Sequence, residues 1–201
     1  ADIANCTGDT SIAISMISDD GVFFETKADY AKDMVTGFIK LNGATVGVVA
    51  NRTVKYDENG EAKDKYQAVM TYKGCEKAAD FVNFCDAFDI PVLTLTNVAG
   101  FKACMCCEKR TAKEAAKLVA AFANATVPKV NVIVGEAFGT AYITMNSKHI
   151  GADLVLAYED AKIGMMDANS AAQIIKDWFE KFNSEEHTKY TSDDDAANDI
   201  Q

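Results

Sequence analysis

The first candidate for chemistry in this sequence is the backbone of a short turn rather than a reactive side chain. Gly139-Thr140-Ala141 follows the β-branched run Val130 to Val134 and precedes helix-compatible residues from Tyr142 to Lys148. A glycine at a strand-to-helix turn lets the backbone approach a ligand closely, and the first N–H groups of a helix have no internal partner. Such N–H groups favour negative charge and can hold an oxyanion. The same three residues also make an ordinary tight turn, so they do not define a site unaided. The second candidate is Cys104-Met105-Cys106-Cys107. No second ligand pair is within sequence reach and His149 and His187 are far off, so the reading is free thiols on a rim loop and no metal. Glu136 is the only acid beside the turn, thin support for the carboxylate pair a hydratase or isomerase would use.

The elements that must position these residues read as alternating strand and helix. Lys129 to Val134 is a strand that Gly135 ends, and a helix follows Gly139. Pro91 to Thr96 is a second strand, ending in the turn Asn97-Val98-Ala99-Gly100-Phe101. Lys102 to Arg110 reads as irregular and Thr111 to Ala125 as helical. Lys73 to Phe88 is the clearest helix, because Phe81, Phe84, Cys85 and Phe88 recur at i, i+3, i+4, i+7. Gly37 to Lys40 and Val46 to Ala50 form a hairpin about Asn42-Gly43. Tyr56 to Gln67, polar and containing Asn59-Gly60, reads as a solvent loop. Thr10 to Ile17 is a short helix or strand, and Val22 to Glu25 a short extended piece. Gly151 to Ala157 and Ala161 to Met165 are further strands, and Ala168 to Phe182 is a helix with Ile174, Ile175, Trp178 and Phe182 on one side.

Alternating strands and helices predict an α/β fold with parallel pairing. Ligands of open α/β sheets lie beyond the carboxyl ends of the strands. That rule puts Ala99-Gly100-Phe101 and Gly139-Thr140-Ala141 on one rim. Residues 1–18 read as a linker or short element, 19–182 as one domain, and 183–201 as a polar acidic tail, loosely ordered.

Composition narrows the partners. The 201 residues are 49% hydrophobic, enough for a core without disulfides or metals. The formal net charge of −10 argues against a nucleic-acid surface, which would need a basic patch. Residues 1–10 carry Asp2, Asn5 and Asp9 and lack an apolar core, and six cysteines without a secretory signal suggest a reducing cytoplasm.

Several blocks, taken in order, carry a resemblance. They are D-D-G-V-F-F-E from Asp19, D-Y-A-K-D-M-V-T-G-F from Asp29 and G-A-T-V-G-V-V-A-N from Gly43. E-K-A-A-D-F-V-N-F-C-D-A-F-D-I-P-V-L-T-L from Glu76, A-T-V-P-K-V-N-V-I-V from Ala125 and F-G-T-A-Y-I-T-M-N-S-K-H-I-G-A-D from Phe138 continue the series. Together they resemble the C-terminal half of the carboxyltransferase subunit of biotin-dependent acyl-CoA carboxylases and decarboxylases. The resemblance implies a crotonase-like fold of repeated ββα units in a single domain. It implies carboxyl transfer between biotin on a separate carrier protein and an acyl-CoA, without a metal. The implied partners are a biotinyl carrier protein and the N-terminal carboxyltransferase half of a neighbouring subunit, in a homo-oligomer that is a hexamer in the intact family. On this reading the chain is a fragment with little activity by itself.

The resemblance also implies residue roles. Gly139, Thr140 and Ala141 stand where the family's Gly-Gly-Ala turn offers backbone N–H groups to the biotin oxygen. Ala99, Gly100 and Phe101, with Ala68, stand beside the biotin pocket, and Ile143 lies at the acyl pocket. Four positions depart from the family's pattern: Thr140 and Ala68 replace glycines, and Asn97 and Ala99 replace the aspartate and proline of Asp-Val-Pro-Gly-Phe. A crotonase-type hydratase or isomerase, and a non-catalytic assembly domain, are the alternatives.

Overall fold

The computed structural model describes residues 8–57 and 59–184. The chain divides into two compact units, Ala1–Met165 and Met166–Gln201. In the first, Asp9 caps helix α1 (Thr10–Ile17), its carboxylate accepting the Ser11 N–H at 3.2 Å. A 3-10 turn over Asp19–Gly21 leads to β1 (Phe24–Thr26). β2 (Met34–Leu41) and β3 (Ala44–Asn51) form the predicted hairpin, with Leu41 opposite Ala44. Asn42 and Gly43 both take positive φ, 51° and 81°, as a two-residue hairpin turn demands.

The stretch read as a solvent loop is instead a second hairpin, of β4 (Val54–Tyr56) and β5 (Ala62–Lys65). The Asp57 carboxylate accepts the Asn59 and Glu61 N–H groups, both at 2.9 Å, and this local bonding closes the turn. The strands are too polar to show alternation, which hides them from a hydrophobic reading.

Next come β6 (Val69–Met70) and α2 (Tyr72–Ala87), capped by Thr71, whose hydroxyl accepts the Gly74 N–H at 3.0 Å. The apolar stripe of α2 divides: Phe81 and Cys85 are buried, whereas Phe84 and Phe88 stay exposed. β7 (Val92–Val98) and β8 (Gly100–Phe101) precede α3 (Met105–Asn124). Residues 105–110, read as irregular, are the first turns of this helix. β9 (Lys129–Phe138) runs straight through Gly135, so that glycine does not end the strand. Helix α4 (Gly139–Thr144), β10 (Leu154–Ala157) and β11 (Lys162–Gly164) complete the unit.

The main sheet has the order β1-β2-β3-β7-β9-β10, with β11 also on β9. Pairing is antiparallel through β3 and parallel from β3 onward. Two cores flank it. On one face, Val49, Val92 and Val98 meet Phe81 and Cys85 of α2, Leu118 and Phe122 of α3 and Ala141 of α4. On the other, Val35, Val48, Ala50, Leu95 and Val134 meet Ile14 of α1. The alternation of Val48, Val49 and Ala50 between the two cores is the pleat of a strand buried on both sides.

In the second unit, Asp167 accepts the Asn169 and Ser170 N–H groups at the start of helix α5 (Ala168–Ser184). Ile174, Ile175 and Trp178 are exposed. The tail read as loosely ordered begins inside α5, and from 185 it lies outside the described residues.

Candidate active site

β7 and β9 are parallel, so their carboxyl ends fall on the same rim. Their register puts Val98 opposite Ala137. Between Thr96–Ile133 and Val98–Ala137 the pairing shifts, with Asn97 facing Val134, Gly135 and Glu136. The Asn97 side chain bridges the gap: its Oδ1 accepts the Glu136 N–H at 3.0 Å. A Cβ on Gly135 would stand 2.6 Å from that oxygen, so the glycine makes room for the bridge. The Asn97 N–H in turn donates to Oδ1 of Asn51 on β3, at 3.3 Å.

The two predicted loops meet on this rim. The Ala99 N–H donates to the Ala68 carbonyl at 2.6 Å, and the Lys102 N–H to the Met70 carbonyl at 2.9 Å. Between them β8 lies parallel on β6, and α4 packs against β8. Ala68, Gly100 and Phe101 are half-buried and Ala99 is exposed. Phe101 touches the core that contains Ala141.

Gly139 begins α4 at φ 57°, a left-handed conformation that L side chains rarely adopt. Its missing Cβ would lie 2.9 Å from the Met165 carbonyl oxygen. Phe138, the residue before the helix, supplies no side-chain cap. The first turn therefore offers N–H groups without an intrahelical partner. Thr140 is exposed, Ala141 is buried in the core and Ile143 is 36% exposed.

Two buried asparagines that the sequence reading passed over hold α4 in place. Asn131 of β9 donates from Nδ2 to the Met145 carbonyl at 3.1 Å and accepts the Thr96 hydroxyl of β7 at 2.8 Å. Asn146, just past the helix, donates to the Thr94 hydroxyl at 3.1 Å. These bonds tie the end of α4 to both central strands. Asparagines inside apolar runs, where each must find partners, are the signal that could have revealed them.

The cysteine reading is corrected. Cys104 and Cys107 form a disulfide at the start of α3 rather than free thiols in a loop. Read as lacking C-x-x-C spacing, the cluster in fact has it between Cys104 and Cys107, across Met105 and Cys106. Cys75 and Cys85 are free and buried, and burial pushes both thiols up to about 12. Among the described residues no group of three or more His, Cys, Asp or Glu side chains could hold a metal ion. His149 is exposed on a 3-10 turn, and His187 lies outside the described residues. Glu136 is half-buried on β9. A cavity of about 250 Å³ is lined by Thr26, Phe38, Lys77, Phe81 and Phe84 among others, and shares no residue with the rim.

The mixed α/β sheet is that of crotonase-like carboxyltransferase structures. The chain belongs to the carboxyl transferase domain family, whose model matches residues 3–199. It is 41% identical over 175 residues to the propionyl-CoA carboxylase beta chain of Roseobacter denitrificans, covering 87% of this chain and 32% of that one. It is 37% identical over 168 residues to the methylmalonyl-CoA carboxyltransferase 12S subunit of Propionibacterium freudenreichii subsp. shermanii, covering 83% and 30%. A solved structure of transcarboxylase 12S, a hexamer with hydrolysed methylmalonyl-coenzyme A bound, superposes with a TM-score of 0.75. The identity there is 36%, over 87% of this chain and 33% of that one. The chain thus spans about a third of the length of the relatives it matches. Among the described residues no helix is long and apolar enough to cross a membrane.

Proposed function

We propose that the chain is the biotin-side half of an acyl-CoA carboxyltransferase, with Gly139, Thr140 and Ala141 as its oxyanion-binding turn. The observation that carries this is the meeting of that turn with the Ala68 and Ala99–Phe101 strand pair on one rim, in a chain of this family. Biotin, held by a separate carrier protein, supplies the nitrogen that carries the carboxyl group. The turn fits it: Gly139 takes the left-handed φ of 57° that starts the turn, and the first-turn N–H groups, uncapped by a side chain, present fixed dipoles to developing negative charge. Phe101, Gly100, Ala99 and Ala68 flank the approach. Thr140 replaces a glycine of the family's turn, and its side chain narrows the entry while its N–H stays available. Ile143 gives the acyl side an apolar wall. The acyl-CoA is held mainly by the N-terminal half of a neighbouring subunit, within an oligomer.

Transfer of carboxyl to an acyl-CoA, from biotinyl carrier, is the test. The chain by itself should turn over little, and adding an N-terminal half from the family should raise turnover. In that mixture Thr140→Gly should keep activity, because the N–H remains. Ala141→Pro removes a donor and should cost about 10² to 10³ in rate, as loss of one oxyanion donor does elsewhere. An Ala141→Pro chain that folds and transfers normally would exclude this turn as the oxyanion site.

A further inference from the structure

The Cys104–Cys107 disulfide takes no part in carboxyl transfer, yet C-x-x-C on the first turn of a long helix has a chemistry of its own. We propose that Cys104–Cys107 is a thiol–disulfide exchange site for a dithiol reductant, and that its reduction loosens the chain between β8 and α3. Cys107 is 5% exposed, whereas Cys104 is half-buried, so an incoming thiolate reaches Cys104 first. Cys104 Sγ accepts the Cys107 N–H at 3.1 Å at the start of α3. Hydrogen bonding there and the helix dipole both favour a thiolate at Cys104.

The exchange balances as follows. The reductant's thiolate attacks Cys104 Sγ and forms a mixed disulfide. The Cys104–Cys107 bond breaks, and its electron pair leaves on Cys107 Sγ, which takes up a proton. The reductant's second thiol, after losing its proton, attacks its own sulfur of the mixed disulfide. That releases Cys104 as thiolate and the reductant as a disulfide. Two electrons pass from reductant to protein.

The position of the cross-link gives the exchange its consequence. Lys102 is the last residue bonded to the β6 side, and Ala103 alone separates it from Cys104. α3 packs against α4, and β8 does so as well. The cross-link closes the first turn of α3, directly beyond the last residue held to the β6 side. Its bearing on carboxyl transfer rests on the function proposed above; the exchange does not.

The test equilibrates the chain with graded ratios of reduced and oxidised dithiothreitol, quenches with acid and alkylates. Mass spectrometry of the tryptic peptide 103–109 reads the redox state. The expected result is one reversible two-electron transition in the folded chain. It should vanish in Cys104→Ser and in Cys107→Ser and persist in Cys106→Ser. Amide exchange over residues 99–108 should quicken about tenfold on reduction, the scale expected for releasing so short a cross-linked loop, while β7 and β9 keep their protection. A pair that stays oxidised until the chain unfolds, or a transition that survives Cys104→Ser, overturns the exchange site. Unchanged amide exchange overturns the loosening. Neither measurement involves carboxyl transfer, so failure of that function leaves both interpretable.

Discussion

Replacing Gly139 by alanine tests the turn where its geometry is most demanding. At φ 57° an alanine is strained by about 1–2 kcal/mol. Its Cβ would also stand 2.9 Å from the Met165 carbonyl oxygen, closer than real Cβ contacts come. That oxygen is backbone, and the pairing of Gly164 with Phe138 just before it leaves little freedom to retreat. Forcing the contact apart costs on the order of 1–3 kcal/mol, by analogy with overpacked cores. The sum, roughly 2–5 kcal/mol, should lower the urea midpoint by about 1–2.5 M at a slope of about 2 kcal/mol per M. Far-UV circular dichroism is the suitable probe, because the single tryptophan, Trp178, lies on α5 in the other compact unit. Gly139→Asn separates the two contributions, since asparagine tolerates the left-handed region but keeps the Cβ. It should recover part of the loss and no more. A Gly139→Ala midpoint within about 0.3 M of the parent would refute both parts of the argument. Full recovery in Gly139→Asn would refute the contact with Met165.

Gly135→Ala should destabilise by about 2–3 kcal/mol, because the new Cβ displaces the Asn97 side chain and leaves the Glu136 N–H unbonded; thermal unfolding beside Asn97→Asp, which keeps the acceptor, checks it, and equal midpoints for parent and Gly135→Ala would count against the bridge. Stability should peak near pH 9. Burial lowers Lys77 from 10.5 to about 8, so above pH 8 the unfolded chain holds more protons and stability rises by about 1 kcal/mol per unit. Above pH 9.0 the slope reverses, because Cys75 and Cys85, raised to about 12, ionise first in the unfolded chain. Urea titrations across this range, with Lys77→Met expected to lose the rising limb, are the measurement.

What the sequence displays is what depends on local pattern. The Asn42-Gly43 hairpin, helix α2 and the β-branched run of β9 all follow from period and turn chemistry, and the structure has them. The parallel half of the sheet follows from the alternation of strand and helix, and with it the rim that unites Ala99–Phe101 and Gly139–Ala141. The β4–β5 hairpin is illegible because its residues are polar and exposed, so no alternation marks it. The start of α3 is illegible because a cysteine, not a serine or aspartate, caps it. Gly135 reads as a strand end because a missing side chain looks the same whether it permits a turn or a neighbour. Only the arrival of Asn97 from β7 decides between them.

The same distinction governs the site. The Gly-Thr-Ala turn is visible in the sequence as a motif, but a motif places no atom. What places the N–H groups is the seating of a six-residue helix too short to be stable unaided. Its far end is held by Asn131 and Asn146, which bond it to Thr96 and Thr94 of β7 and to the chain of β9. Its near end is held by the fit of Gly139 under the Met165 carbonyl. In the sequence these asparagines interrupt or follow apolar runs and read as blemishes in a strand and a helix. In the fold they are buried polar residues whose burial requires directed partners, and direction is what a backbone donor site needs from its support. Thr140 is exposed and its side chain makes none of these bonds, so the proposed turn tolerates a side chain there. At Gly139 it does not, because that residue sits where the support and the proposed site share the same backbone.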